Sequence, residues 1–180
     1  MTITFVTGNS GKHREVSAML PCRVVQHDVG YPEIQADSLQ EVARYGLDWL
    51  RPRVDGPFML EDAGLFIDGL EGFPGVYSAY AYRTIGNAGI LRLLENVENR
   101  DAVFRSVVGL DDGEQHFFTG ECPGSVATDI RGEHGFGYDP IFIPEGSDRT
   151  FAEMTSAEKN RCSHRGSAIR KLASYLSTLP

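Results

Sequence analysis

Residues 2–20 read TITFVTGNSGKHREVSAML, and this stretch decides the fold. Thr2 to Thr7 is a β-branched and aromatic run that suits a buried strand. Gly8 breaks the run, and His13 to Leu20 then places Val16, Met19 and Leu20 on one face of a helix. A strand, a glycine turn and a helix in that order open an α/β layout.

Working outward, Arg23 to Val29 reads as a second strand that leads into the loop GYPEIQADS. Asp37 and Ser38 can cap a helix whose apolar positions are Leu39, Val42, Ala43, Leu47 and Leu50, and Pro52 ends it. Pro57 to Leu60 is a further strand. It runs into EDAGLFIDGLEGFPGVYSAY (61–80), where Gly64, Gly69, Gly72 and Gly75 predict mostly loop. Ile90, Leu91, Leu94 and Val97 mark another amphipathic helix. The sharpest hairpin signal is AVFRSVVGL and EQHFFTGEC joined through Asp112-Gly113. After the glycine-rich RGEHGFGYDPIF, Thr155 to Glu158 has capping-box spacing, and a last helix buries Ile169, Leu172, Ala173 and Leu176. Alternation followed by a hairpin predicts a mixed rather than a purely parallel sheet.

The totals narrow the function classes. With 180 residues, 41% hydrophobic and 23% charged, the chain suits one domain spanning 1–180. No apolar run reaches the roughly 18 residues that a membrane span needs, and MTITFVTGNSGK is expected not to be a signal peptide. Cys22, Cys122 and Cys162 are far apart and odd in number, which suits free thiols in a reducing cytoplasm. A net charge of −8 disfavours polymeric nucleic acid as a partner, but a small polyanion needs only a few local cations. Lysine is scarce: Lys12, Lys159 and Lys171 are the only three.

Thr7-Gly8-Asn9-Ser10-Gly11-Lys12 joins the first strand to the first helix. Glycines let the backbone turn, amides at a helix start attract anions, and Lys12 adds a full charge. A Walker-type loop would need glycine in place of Val6 and Ser or Thr in place of His13, so that class is disfavoured. Alone, the segment reads equally well as a phosphate site and as a plain strand–turn–helix connection. Glu61-Asp62 follows an apolar strand, and two adjacent carboxylates repel unless a cation intervenes. Mg²⁺ suits them, because it takes one or two carboxylates together with water and phosphate oxygens. Glu33 in Tyr31-Pro32-Glu33 is a third candidate ligand.

Taken together, FVTGNSGKHREV, YPEIQ, EDAGLFIDGLEGFPGVYSAY, GFGYDPIF and FAEMTSAEKNRCSHRGSA resemble the inosine triphosphate pyrophosphatase family in content and order. The resemblance runs from residue 5 to residue 168. It implies a long mixed sheet spanning two lobes with the active-site cleft between them, in a homodimer. It also implies Mg²⁺-dependent hydrolysis of ITP, dITP and XTP between the α- and β-phosphates. Carried over by motif, Thr7, Gly8, Asn9, Ser10, Gly11 and Lys12 would hold the phosphates. Glu33, with Glu61 or Asp62, would hold Mg²⁺, and Asp62 would be the general base. Phe136, Gly137, Tyr138, Asp139, Lys159, His164 and Arg165 would form the nucleoside pocket. Lys159 and His164 are five positions apart, roughly 140° around a helix, so the final helix is expected to start near Ser163.

Two positions depart from the family pattern. Ala63 stands where serine is usual, leaving only its backbone N–H for a phosphate, and Gly46 stands where many members carry a lysine. The same residues would also serve a pyrophosphatase for other modified nucleotides. A nucleotide-binding module without turnover fits less well, since simple binding needs no acid cluster.

Overall fold

Strand β1 (Thr2–Val6) carries Ile3 and Phe5, both fully buried, and pairs in parallel with β2 (Arg23–His27) in the register Thr2 to Arg23 through Val6 to His27. Helix α1 (Ser10–Ser17) connects them, and helix α2 (Leu39–Leu50) follows, capped by the Ser38 side chain as expected. Strand β3 (Phe58–Ile67) lies on the other side of β1, also parallel, with Thr4 opposite Phe58 and Phe5 opposite Met59. Helices α3 (Ser78–Thr84) and α4 (Gly86–Leu93) precede the hairpin of β4 (Asp101–Asp111) and β5 (Gln115–Val126). The short strand β6 (Phe142–Pro144) pairs antiparallel with β5, and helices α5 (Ser156–Cys162) and α6 (His164–Leu176) complete the order. The six strands form one mixed sheet in the order β2-β1-β3-β4-β5-β6, as the sequence predicts. This computed structural model describes residues 1–32 and 34–179.

The chain forms two compact units. The first comprises Met1–Asp62, Ser106–Gly120 and Arg165–Pro180, and the second Ala63–Arg105 and Glu121–His164. Each has its own core. In the first, Ile3, Phe5, Val16, Met59, Val108, Leu110, Ile169 and Leu172 pack together. In the second, Leu65, Ile67, Ile90, Phe104, Phe142 and Phe151 do so.

Two local expectations are corrected. Helix α1 starts at Ser10, not His13, because the Asn9 side chain accepts from the N–H groups of Gly11 and Lys12 and caps the helix three residues earlier. Strand β3 does not end at Leu60 but continues through EDAGLFI, since Leu65 and Ile67 are fully buried and extend the apolar run. Glycine content was therefore a poor guide to loop at 61–67. Helix α3 and strand β6 carried no clear pattern and were not foreseen. The expected break at Ser163 is present: the residue is extended (φ −73°, ψ 156°) between α5 and α6, so Lys159 and His164 lie on separate helices.

Candidate active site

In the first unit, the turn after β1 and the middle of β3 meet because the two strands are parallel neighbours. Lys12, in the first turn of α1, reaches across. Its Nζ lies 2.8 Å from a carboxylate oxygen of Glu61 and donates to the Glu61 backbone carbonyl at 3.0 Å. The Glu61 side chain is fully buried. It also accepts from the Ser106 hydroxyl at 2.6 Å and forms an ion pair with Arg165 at 3.2 Å. Arg165, only 1% exposed, donates to Glu15 at 2.6 Å through its other arm. Burial alone would raise the Glu61 carboxyl. The charges of Arg165 and then Lys12, with hydrogen bonds from Lys12 and Ser106, outweigh it and hold the group well below the usual carboxylate range.

The turn itself is pre-organised. The Thr7 hydroxyl accepts from the Asn9 N–H, and Asn9 in turn holds the amides of Gly11 and Lys12. Gly8 and Ser10 are exposed, and Asp62 and Ala63 are half-buried on β3, next to Glu61. The first unit thus gathers Thr7 to Lys12, Glu61, Asp62 and, unexpectedly, Arg165.

In the second unit, Lys159 on α5 is buried and places its ammonium 2.6 Å from Asp139, which also accepts from the Phe136 N–H at 2.8 Å. The same ammonium sits 4.6 Å over the Phe136 ring. Gly135 turns at φ +76°, and a Cβ there would lie 2.0 Å from Asp139 Oδ2, so the glycine is required for this closure. Tyr138 is buried and donates to the Ser78 carbonyl, and Asn87 on α4 donates to the Gly137 carbonyl at 3.1 Å. His164 is buried and stacks on Phe104 with ring centroids 4.4 Å apart and planes 11° apart. Of the expected nucleoside-pocket residues, Phe136, Gly137, Tyr138, Asp139, Lys159 and His164 fall in this unit.

Fit to a metal turns on which carboxylates could take one. Both Glu61 oxygens face cations or a hydroxyl. Among the described residues no group of three His, Cys, Asp or Glu could hold a metal. Asp62, half-buried and next to Glu61 on β3, would supply one carboxylate to an ion that takes one or two and fills its shell with water and phosphate oxygens. Glu33 lies outside the described residues.

Glu15 and Ser106 escaped the sequence reading. Glu15, a charged residue next to Val16 on α1, is buried. Ser106 left a usable signal: a lone hydroxyl among Phe104, Val107 and Val108 on a strand is fully buried, and a buried hydroxyl needs a partner.

Fold and site together define a mixed α/β protein with a lysine held at a strand-to-helix turn against a buried carboxylate. Compared with known proteins, the chain matches the Ham1 family over residues 3–175. It is 59% identical over 179 residues to a dITP/XTP pyrophosphatase of Thermococcus kodakarensis, covering 98% of this chain and 97% of that one. A protein of the same name from Pyrococcus horikoshii is 53% identical over 180 residues, with the same shares of 98% and 97%. The solved Ham1 protein of Staphylococcus aureus has the same fold, with a TM-score of 0.85 at 29% identity and 98% of each chain covered. The chain belongs to the Ham1 family.

Proposed function

We propose that this chain hydrolyses dITP, XTP and related non-standard purine nucleoside triphosphates, such as ITP, to the monophosphate and pyrophosphate. One observation carries the reading most. The Lys12 ammonium is fixed at 2.8 Å and 3.0 Å to Glu61, and Asp62 is the next residue along β3, so a phosphate-binding cation and a second carboxylate belong to the same strand-to-helix region. The pyrophosphatase names of relatives 59% and 53% identical support the substrate class.

The chemistry divides among named residues. Lys12 binds and offsets phosphate charge, and the exposed backbone of Gly8 and Ser10 lines the same turn. Asp62 accepts the proton of the attacking water. Asp62, with Glu33, would hold Mg²⁺, which when bound neutralises the phosphate charge that develops on cleavage. Phe136, half-buried, offers a face for a purine. Hypoxanthine and xanthine present a 6-oxo acceptor where adenine presents an amino donor, so an ammonium at the base favours the first two. Lys159, over the Phe136 ring, is better disposed for this than Arg165, which Glu15 and Glu61 hold. The reading also carries a homodimeric, cytoplasmic enzyme, and sedimentation checks the former. Among the described residues no helix is long and apolar enough to cross a membrane.

The test is product analysis with Mg²⁺ and a panel of XTP, dITP, ITP, GTP, ATP and dUTP. Pyrophosphate and monophosphate from the first three are expected. Release of inorganic phosphate and a diphosphate would overturn the proposal, and so would a preference for dUTP.

A further inference from the structure

We propose that Glu61 is a positioning residue that aims the Lys12 ammonium at substrate and is not a ligand to the metal. The proposal rests on the phosphate-cleaving reading above and assigns the two halves of the Glu61-Asp62 pair different tasks.

A metal ligand must present a lone pair to open space. Glu61 does not. One of its oxygens accepts from Ser106 at 2.6 Å and pairs with Arg165 at 3.2 Å. The other pairs with Lys12 at 2.8 Å and meets a second Arg165 nitrogen at 3.4 Å, and the side chain has no exposed surface. Lys12 and Arg165 both pair with Glu61, and Arg165 also pairs with Glu15. Turning Glu61 toward a divalent ion would strip Lys12 and Arg165 of their shared anion and set three cations side by side in a desolvated place.

The Lys12 geometry supplies the second half of the argument. An ammonium has three N–H donors. Two are directed to Glu61, one to its carboxylate and one to its own backbone carbonyl at 3.0 Å, so both come from a single residue and fix the direction of the third. That third N–H has no acceptor among the described residues, and 20% of the Lys12 side chain remains exposed. A flexible four-carbon stem is thereby converted into a directed donor for a phosphate oxygen. Ser106 belongs to the same device, since its hydroxyl fixes the carboxylate that fixes the lysine.

The experiment compares Glu61→Gln, Ser106→Ala and Asp62→Asn with the wild type. Its readouts are Mn²⁺ affinity, equilibrium binding of inorganic tripolyphosphate, and KM and kcat for XTP. Loss of one charge-assisted contact at Lys12 predicts about a tenfold weaker tripolyphosphate affinity and about a tenfold higher KM in Glu61→Gln. Its Mn²⁺ affinity should stay within about threefold of wild type, and kcat should fall far less than KM rises. Asp62→Asn should show the opposite split, losing Mn²⁺ affinity and kcat. A Glu61→Gln protein whose Mn²⁺ affinity drops about tenfold or more, with tripolyphosphate binding intact, overturns the proposal. Should Glu61→Gln not fold, Ser106→Ala decides: a two- to threefold loss of tripolyphosphate affinity at unchanged Mn²⁺ affinity is expected (roughly half a kcal/mol), and no loss overturns it. Failure of the underlying reading shows separately, as wild-type protein that binds tripolyphosphate through Lys12 yet releases no pyrophosphate from XTP.

Discussion

Replacing Lys159 by methionine tests what holds the Gly135–Asp139 loop. The Lys159 and Asp139 side chains are 3% and 4% exposed and meet at 2.6 Å, so the pair is desolvated on both sides. Methionine keeps most of the apolar stem but removes the charge that balances Asp139. Breaking one side of such a pair costs about 3–5 kcal/mol, because a buried carboxylate is left without its counter-charge. For a chain of this length each kcal/mol lowers the melting temperature by roughly 2–4 °C, which predicts a drop of about 6–20 °C. The Phe136 N–H still donates to Asp139, which favours the lower half of that range. Urea and thermal unfolding of Lys159→Met, Asp139→Asn and the double variant measure the coupling directly. The double variant removes both charges and should recover at least half of the single-variant loss. Additive losses, or a Lys159→Met cost below about 1 kcal/mol, would show that the pair behaves as a solvated surface bridge and would refute the reasoning.

Three further outcomes are expected. Asp62→Asn should lower kcat by about 10²–10⁴-fold while XTP still binds, as loss of a general base does; near-normal turnover in a coupled pyrophosphate assay would remove Asp62 from that role. Gly46→Lys should destabilise the chain by about 1–3 kcal/mol and not tighten triphosphate binding, because a Cβ at Gly46 would lie 2.6 Å from Leu60 and 3.0 Å from the Tyr31 ring; calorimetry with XTP checks both halves. With a thiol reagent at pH 8, Cys162 should react quickly because it is exposed, and Cys122 should stay protected until unfolding, since burial pushes its thiol up to about 12. The sign of that shift also means that Cys122 disfavours the fold increasingly as pH climbs from about 9 toward 12, where the unfolded thiol ionises and the folded one does not.

Much of the fold was readable because its signals are local. Ser38 and Thr155 cap helices by side-chain chemistry that acts within three residues, and Asp112-Gly113 marks a hairpin in the same way. What escaped reading depends on neighbours far along the chain. β3 continues past Leu60 because Leu65 and Ile67 find the second core, and glycine content at 61–72 says nothing of that packing. At the site, Lys12 and the carboxylate pair were legible as residue types in a family order. That Glu61 faces Arg165 was not, since the partners lie more than a hundred positions apart and only the fold brings them together. Gly46 was legible as a missing lysine, but its physical reason, the Tyr31 ring against the helix, appears only in three dimensions.

The segment from Arg165 onward completes the core that Ile3 and Phe5 begin, for Ile169 and Leu172 pack in the same cluster as those first-strand residues. During synthesis this sets an order of events. The second unit has all its parts once His164 has emerged, whereas the first waits, with Glu61 lacking Arg165, until α6 leaves the ribosome. At roughly 5–20 residues per second, the 104 positions from Glu61 to Arg165 take about 5–20 s to make. Over that interval the nascent chain has its lysine and both acids but not the guanidinium that lets Glu61 be buried, so the phosphate grip is among the last parts to be assembled.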